Sequence, residues 1–150
     1  MLITQFQRPI GKTYTSEVNF LTAPGALQQV KFNETPIFSN SDIAQYIRIR
    51  GIMVYTNDFL KKSPSGRDVI TLAGLESICL NLVGTDSKAL LWDFPAISLQ
   101  PLLNGGLYYE FEDLKLNFTG CYLKVTAAGN INAGESFVAT WIYHDIRDKK

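Results

Sequence analysis

The sequence predicts an all-β fold, an antiparallel β-sandwich, and three observations predict it. Apolar residues recur at period two in short runs, with almost no helical spacing. Clusters of Gly, Pro, Asn and Asp separate most of these runs. The last run, residues 135–144, is apolar on both faces, with Phe137, Ala139, Trp141 and Tyr143 on one and Val138, Thr140 and Ile142 on the other. A strand with neither face polar has neither face in water, so it belongs mid-sheet, flanked on both sides and covered above and below.

The elements follow in order. Residues 1–16 are polar and irregular, broken by Pro9 and Gly11, and read as an N-terminal arm. The β-domain then spans 17–146, and 147–150 form a charged tail. Val18 and Phe20 begin a first strand that stops at Ala23-Pro24-Gly25. Residues 28–32 give a short second strand. Asn40-Ser41-Asp42 caps a single helical turn, the one helical signal in the chain. Residues 46–56 form a strong strand in which the aliphatic phase shifts from Ile47/Ile49 to Ile52/Val54. A bulge at Gly51 returns all four to one face. A polar loop covers 57–65, residues 67–72 read as a strand, and Ala73-Gly74 breaks it.

In the second half, residues 77–83 alternate, with Ile78, Leu80 and Leu82 inward and Cys79, Asn81 and Val83 outward. After a turn at 84–87, residues 88–94 form a strand that Pro95 ends. Residues 97–103 carry Pro101 and read as an edge or a loop. Residues 107–118 hold two phases that change at Glu112-Asp113, through a bulge or a turn. Residues 121–127 alternate again, and 128–134 connect flexibly to the last strand. Eight or nine short strands with one helical turn make an eight-stranded jelly roll the best single topology. An immunoglobulin-like sandwich comes second, because Trp92 between Cys79 and Cys121 sits on a stretch ended by proline.

Composition narrows function. The 150 residues carry a formal net charge of zero and 19% charged residues, against a usual share of about 25%. That argues against general polyanion binding and leaves apolar surface for partners. The basic residues Arg48, Arg50, Lys61, Lys62 and Arg67 lack interleaved aromatics, so nucleic acid is not the expected partner. No signal peptide or membrane-spanning run is visible, and synthesis in the cytoplasm as a soluble protein is expected. Cys79 and Cys121 read as buried free thiols before a single bridge, which stays open if their strands are neighbours. Asn33-Glu34-Thr35 and Asn117-Phe118-Thr119 match the glycosylation pattern by chance.

Catalysis has little to stand on. His144 is the only histidine, and Asp145 beside it on a strand points to the opposite face. No nucleophile elbow exists. One His and two separated Cys are too few for a transition metal. Asp86, Asp93 and the Glu110/Glu112/Asp113 group have the oxygens for calcium or a glycosidase pair, but read as a solvated strand face. No enzyme activity, metal or cofactor is expected.

Six residues are the candidate subunit contacts: Leu2, Ile3, Phe6 and Ile10 in the arm, and Trp92 and Phe94, which share a strand phase. The arm gains little by lying on its own domain, so a neighbouring subunit is the expected source of its contacts. The irregular arm, the short-strand series, the low charge, the WDFP segment at 92–95 and the terminal unit KVTAAGNINAGESFVATWIYHD together resemble small single-jelly-roll virion proteins. This resemblance implies a self-assembling structural component of a phage particle, in the capsid, a vertex penton or a spike base. Its partners would be further copies and other virion proteins. The alternative is a carbohydrate-binding jelly-roll module, with the aromatics of residues 92–111 stacking on a sugar in host recognition.

Overall fold

The computed structural model describes residues 12–32, 41–84, 89–100, 109–117 and 120–147. Among them are nine strands: β1 (Lys12–Asn19), β2 (Gln29–Lys31), β3 (Ile47–Tyr55), β4 (Asp68–Val69), β5 (Ile78–Val83), β6 (Ala89–Pro95), β7 (Tyr109–Leu114), β8 (Tyr122–Val125) and β9 (Glu135–Asp145). One sheet has the order β1-β9-β3-β7, with the two-residue β4 parallel to the start of β9. The other has the order β2-β8-β5-β6. Every pairing but that of β4 is antiparallel. The chain is an all-β sandwich, and the inner faces of both sheets meet in one apolar core.

β9 is the centre of the first sheet. β1 pairs along one edge from Lys12↔Tyr143 to Asn19↔Ser136, and β3 along the other from Ile47↔Asp145 to Tyr55↔Val138. Every residue from 136 to 142 is buried, on both faces. Trp141 fills the core, its indole N–H donating to Ser16 Oγ at 2.9 Å and its ring edge-on to Phe32 at 5.7 Å. Each fully buried aliphatic or aromatic side chain in this cluster contributes about 1.5–3 kcal/mol over its exposed state.

Ser16 explains one correction. β1 starts at Lys12, so the last five residues of the stretch read as an arm, 1–16, are strand. Tyr14, Ser16 and Val18 face inward opposite Trp141, Ala139 and Phe137. The alternation is hidden because Ser16 is polar, and it is polar because it accepts the Trp141 indole proton. Residues 1–11 lie outside the described residues.

β3 carries the bulge that its phase shift predicts. Pairing with β9 slips between Ile49 and Gly51, and Ile47, Ile49, Ile52 and Val54 all reach the core. β7 opposes the same point with Leu114 and then Glu110, so the phase change at 112–113 is an irregularity within a strand and not a turn.

Residues 67–72 are not one strand. Only Asp68–Val69 pair, and Thr71 then caps a helix, α2 (Leu72–Glu76), accepting from the Gly74 N–H at 3.2 Å. Gly74 is buried against the Asn130 backbone and the Ile131 side chain, where a Cβ would sit 3.1 Å from the Asn130 carbonyl oxygen. The earlier helical turn, α1 (Ser41–Ala44), forms where Asn40-Ser41-Asp42 predicts a cap. A 3-10 turn at Ala96–Leu99 follows Pro95 in place of an edge strand, burying Ala96 and Leu99.

Candidate functional site

The outer face of the second sheet holds the most exposed aromatic chemistry of the described residues. β6 pairs Phe94 with Leu80 and Leu91 with Leu82 on β5. Two residues, Trp92 and Asp93, therefore oppose the single Asn81, which is a β-bulge. Asp93 sits at a φ of 48°, in the left-handed region that Asp tolerates better than most side chains. Its N–H donates to Asn81 Oδ1 at 3.0 Å, and Asn81 is fully buried.

The bulge separates two residues that share a phase in a regular strand. Phe94 turns inward and packs against the core, whereas Trp92 is 57% exposed. Trp92 is thus the surface aromatic of the pair, and the shared phase of Trp92 and Phe94 is corrected by the extra residue. Of the other candidate contacts, Leu2, Ile3, Phe6 and Ile10 fall outside the described residues.

Around Trp92 the face is amphipathic. Tyr122 on β8 meets its ring edge-on at 6.1 Å, and the Lys31 ammonium lies 5.7 Å from the Tyr122 centroid. Lys124 pairs with Asp93 at 3.0 Å, a hydrogen bond that raises the lysine pKa. Cys79 lies half-buried beside them, its thiol pushed up first by burial and then by the Asp93 carboxylate, so it stays protonated at neutral pH. Nothing in this cluster generates a nucleophile. It offers aromatic area with paired charges at its margin, the composition of a contact surface. Periodicity alone missed its partners Tyr122, Lys124 and Lys31, which arrive from two other strands.

The outer face of the first sheet differs. Residues 57–67 fold back over it, closed by the Ser63 N–H donating to the Arg67 carbonyl at 2.8 Å. Glu17 on β1 clamps this loop. Its carboxylate accepts from the Ser63 hydroxyl at 3.1 Å, from the Ser65 N–H at 3.0 Å and from the Ser65 hydroxyl. Burial alone would raise the Glu17 pKa, but the bonds from Ser65, Ser63 and Ser136 outweigh it and the net direction is down.

The remaining candidates are engaged elsewhere. Arg147 binds both Asp145 oxygens and lies over the Tyr46 ring at 4.3 Å, and its hydrogen bonds hold Asp145 down at about 2. Asp145 therefore serves Arg147. Arg48 donates to the Gln45 and Ile47 carbonyls, and Lys62 pairs with Asp68 at 2.5 Å. Cys121 is buried and unbonded to Cys79, its thiol raised to about 11 by desolvation. Asp86 and the side chains of Glu110, Glu112 and Asp113 are outside the described set. Among the described residues no three His, Cys, Asp or Glu gather as metal ligands, and no helix is long and apolar enough to cross a membrane.

Fold and surfaces together define an all-β sandwich in which, among the described residues, one outer face carries no covering loop and the other is overlaid by residues 57–67. Comparison with protein-family models, curated proteins and solved structures finds no match to this chain.

Proposed function

We propose that the sandwich is a jelly roll and that the protein is a non-enzymatic, self-assembling structural component of a phage virion, in a capsid, vertex or spike base. The observation that carries this is the nested strand pairing. β1 pairs with β9, β2 with β8, β3 with β7 and β5 with β6, so with β4 set aside the described strands nest like one long hairpin folded across the two sheets. This nesting supports reading the fold as a double Greek key, with β4 as an addition to eight strands. Unfilled apolar surface supports assembly: Trp92 on the second sheet, and Leu21 and Leu27 on the β1–β2 connection at 72% and 71% exposed. Leu27 also holds a φ of 63°, an unfavourable conformation for its side chain. In this reading the arm residues Leu2, Ile3, Phe6 and Ile10 and the Trp92 face meet neighbouring copies or other virion proteins.

Light scattering after size exclusion, with electron microscopy of the peak, tests it. Closed rings or larger assemblies are expected, and a strict monomer at tens of micromolar would count against it. The second reading, a carbohydrate-binding module, is favoured by Trp92 standing outward beside Tyr122. A monomer retained on a glycan array and released by Trp92→Ala would select it.

A further inference from the structure

Between the 57–67 loop and the outer face of the first sheet lies a cleft of about 420 Å³, within the size range of small-ligand sites. Three hydroxyls form its floor, one from each of the adjacent strands β1, β9 and β3. The Tyr55 hydroxyl donates to Thr140 Oγ1 at 2.9 Å, and Thr15 Oγ1 shares a hydrogen bond with Thr140 at 3.0 Å. Thr140 is only 6% exposed. Phe59, 40% exposed, stands with Leu60 and Pro64 as the apolar wall.

The hydrogen-bond inventory defines the ligand. Three hydroxyls carry three protons, and the two bonds between them use two. Whichever way the Thr15–Thr140 bond points, one threonine proton remains, and the Tyr55 oxygen keeps its lone pairs. The floor therefore both donates and accepts at adjacent points, as a vicinal diol does. Lys62 is the charged residue on the lining, and Asp68 neutralises it. An acid or a phosphate meets no free charge there, and a purely apolar ligand would strand the floor hydroxyls. A pyranose ring suits both requirements, with hydroxyls at its edge and a C–H face that packs on an aromatic ring. The wall is already set, because Glu17 fixes the loop through Ser63 and Ser65, so little ordering is left for the ligand to drive.

We propose that this cleft binds a neutral saccharide, with Thr15, Tyr55 and Thr140 hydrogen-bonding its hydroxyls and Phe59 packing on its ring face. The proposal goes beyond assembly and holds for a monomer or a ring. It shares a ligand class with the second reading above but not a surface.

The test is saturation-transfer NMR and titration of the full chain with panels of neutral and acidic mono- and disaccharides. Neutral sugars are expected to bind, and Thr15→Val and Tyr55→Phe are each expected to weaken binding about tenfold, the scale of one lost hydrogen bond. Thr15 is exposed and Tyr55→Phe preserves shape, so both variants keep the fold, which circular dichroism checks. Trp92→Ala is expected to leave this binding unchanged. Absence of neutral-sugar binding overturns the proposal. So does binding that survives both hydroxyl variants, or that is lost with Trp92→Ala instead, which would move the sugar site to the second sheet without touching the assembly reading.

Discussion

The outer faces of the two sheets are made of opposite material. On the first, the outward residues of β9 are Val138, Thr140 and Ile142, all buried. The chain folds residues 57–67 back over this face and fastens them with Glu17. On the second, the corresponding positions are Trp92, Tyr122, Lys124 and Lys31, exposed or half-exposed, with no loop fastened over them among the described residues. The difference shows where each face gets its stability. Along β9 the first sheet is buried on both sides, whereas its flanking strands keep residues such as Thr15 exposed on the outer face. The second, among the described residues, is core on one side only, and the side chains it leaves exposed offer surface to another molecule.

The largest effects should come from β9. Trp141→Ala should cost roughly 3–5 kcal/mol in denaturant melts, the usual range for a buried aromatic, because it also strands the Ser16 hydroxyl. That sets the scale for the inner face. Ile142→Ala probes the outer face of the same strand and should cost roughly 2–4 kcal/mol if this face is core as well. A loss near 0.5 kcal/mol would put Ile142 in the class of surface positions and remove the contrast between the two sheets.

These positions also show what was legible beforehand. β9 announced itself because both faces are apolar, a signal that survives without knowing any partner. The β3 bulge was readable because four aliphatics changed phase at a glycine. β1 was obscured at Ser16, since a hydroxyl that serves a buried indole looks, in sequence, like a surface residue. The Trp92–Asp93 bulge was invisible to period counting, because an inserted residue turns Phe94 to the core without changing the composition. A polar Asn81 amid Ile78, Leu80 and Leu82 was the available hint: a buried amide needs a partner, and here it takes the Asp93 N–H. Helix α2 was masked by β-branched residues 69–71 before it. The clefts and clamps were not readable at all, since Glu17 meets Ser63 and Ser65 across more than 40 positions.

The Glu17 clamp gives a smaller effect, and its pH dependence has a definite sign. The folded-state pKa is depressed, so the carboxylate contributes stability that is fully present above the unfolded value of about 4.3. That contribution is lost as pH falls through the folded value. Glu17→Gln should therefore cost about 1 kcal/mol at pH 7, the scale of a net hydrogen bond. The gap between wild type and variant should narrow as pH falls below the unfolded value and close below the depressed folded one. A gap that stays constant across this range would mean that loop packing, and not the charged carboxylate, holds the cover on the first sheet.

The smallest effect on folding, and the sharpest use of the comparison, is at Trp92. Its indole is 57% exposed and its main neighbour is the edge of Tyr122, so truncation removes little buried area. The bulge that presents it is held by the Asp93 N–H donating to the Asn81 side-chain Oδ1, which does not involve the indole. Trp92→Ala should shift stability by no more than about 0.5 kcal/mol, the range of ordinary surface substitutions. In an interface the same indole is worth far more, because exposed tryptophans that become fully desolvated on association commonly cost 2 kcal/mol or more when removed. The expected pattern is an unchanged melt with an assembly midpoint moved to at least about tenfold higher protein concentration. An unchanged midpoint would show that the bare face of the second sheet is not the subunit contact. A large loss of stability in the isolated chain would show that Trp92 is packed after all, and the two outer faces would then be alike.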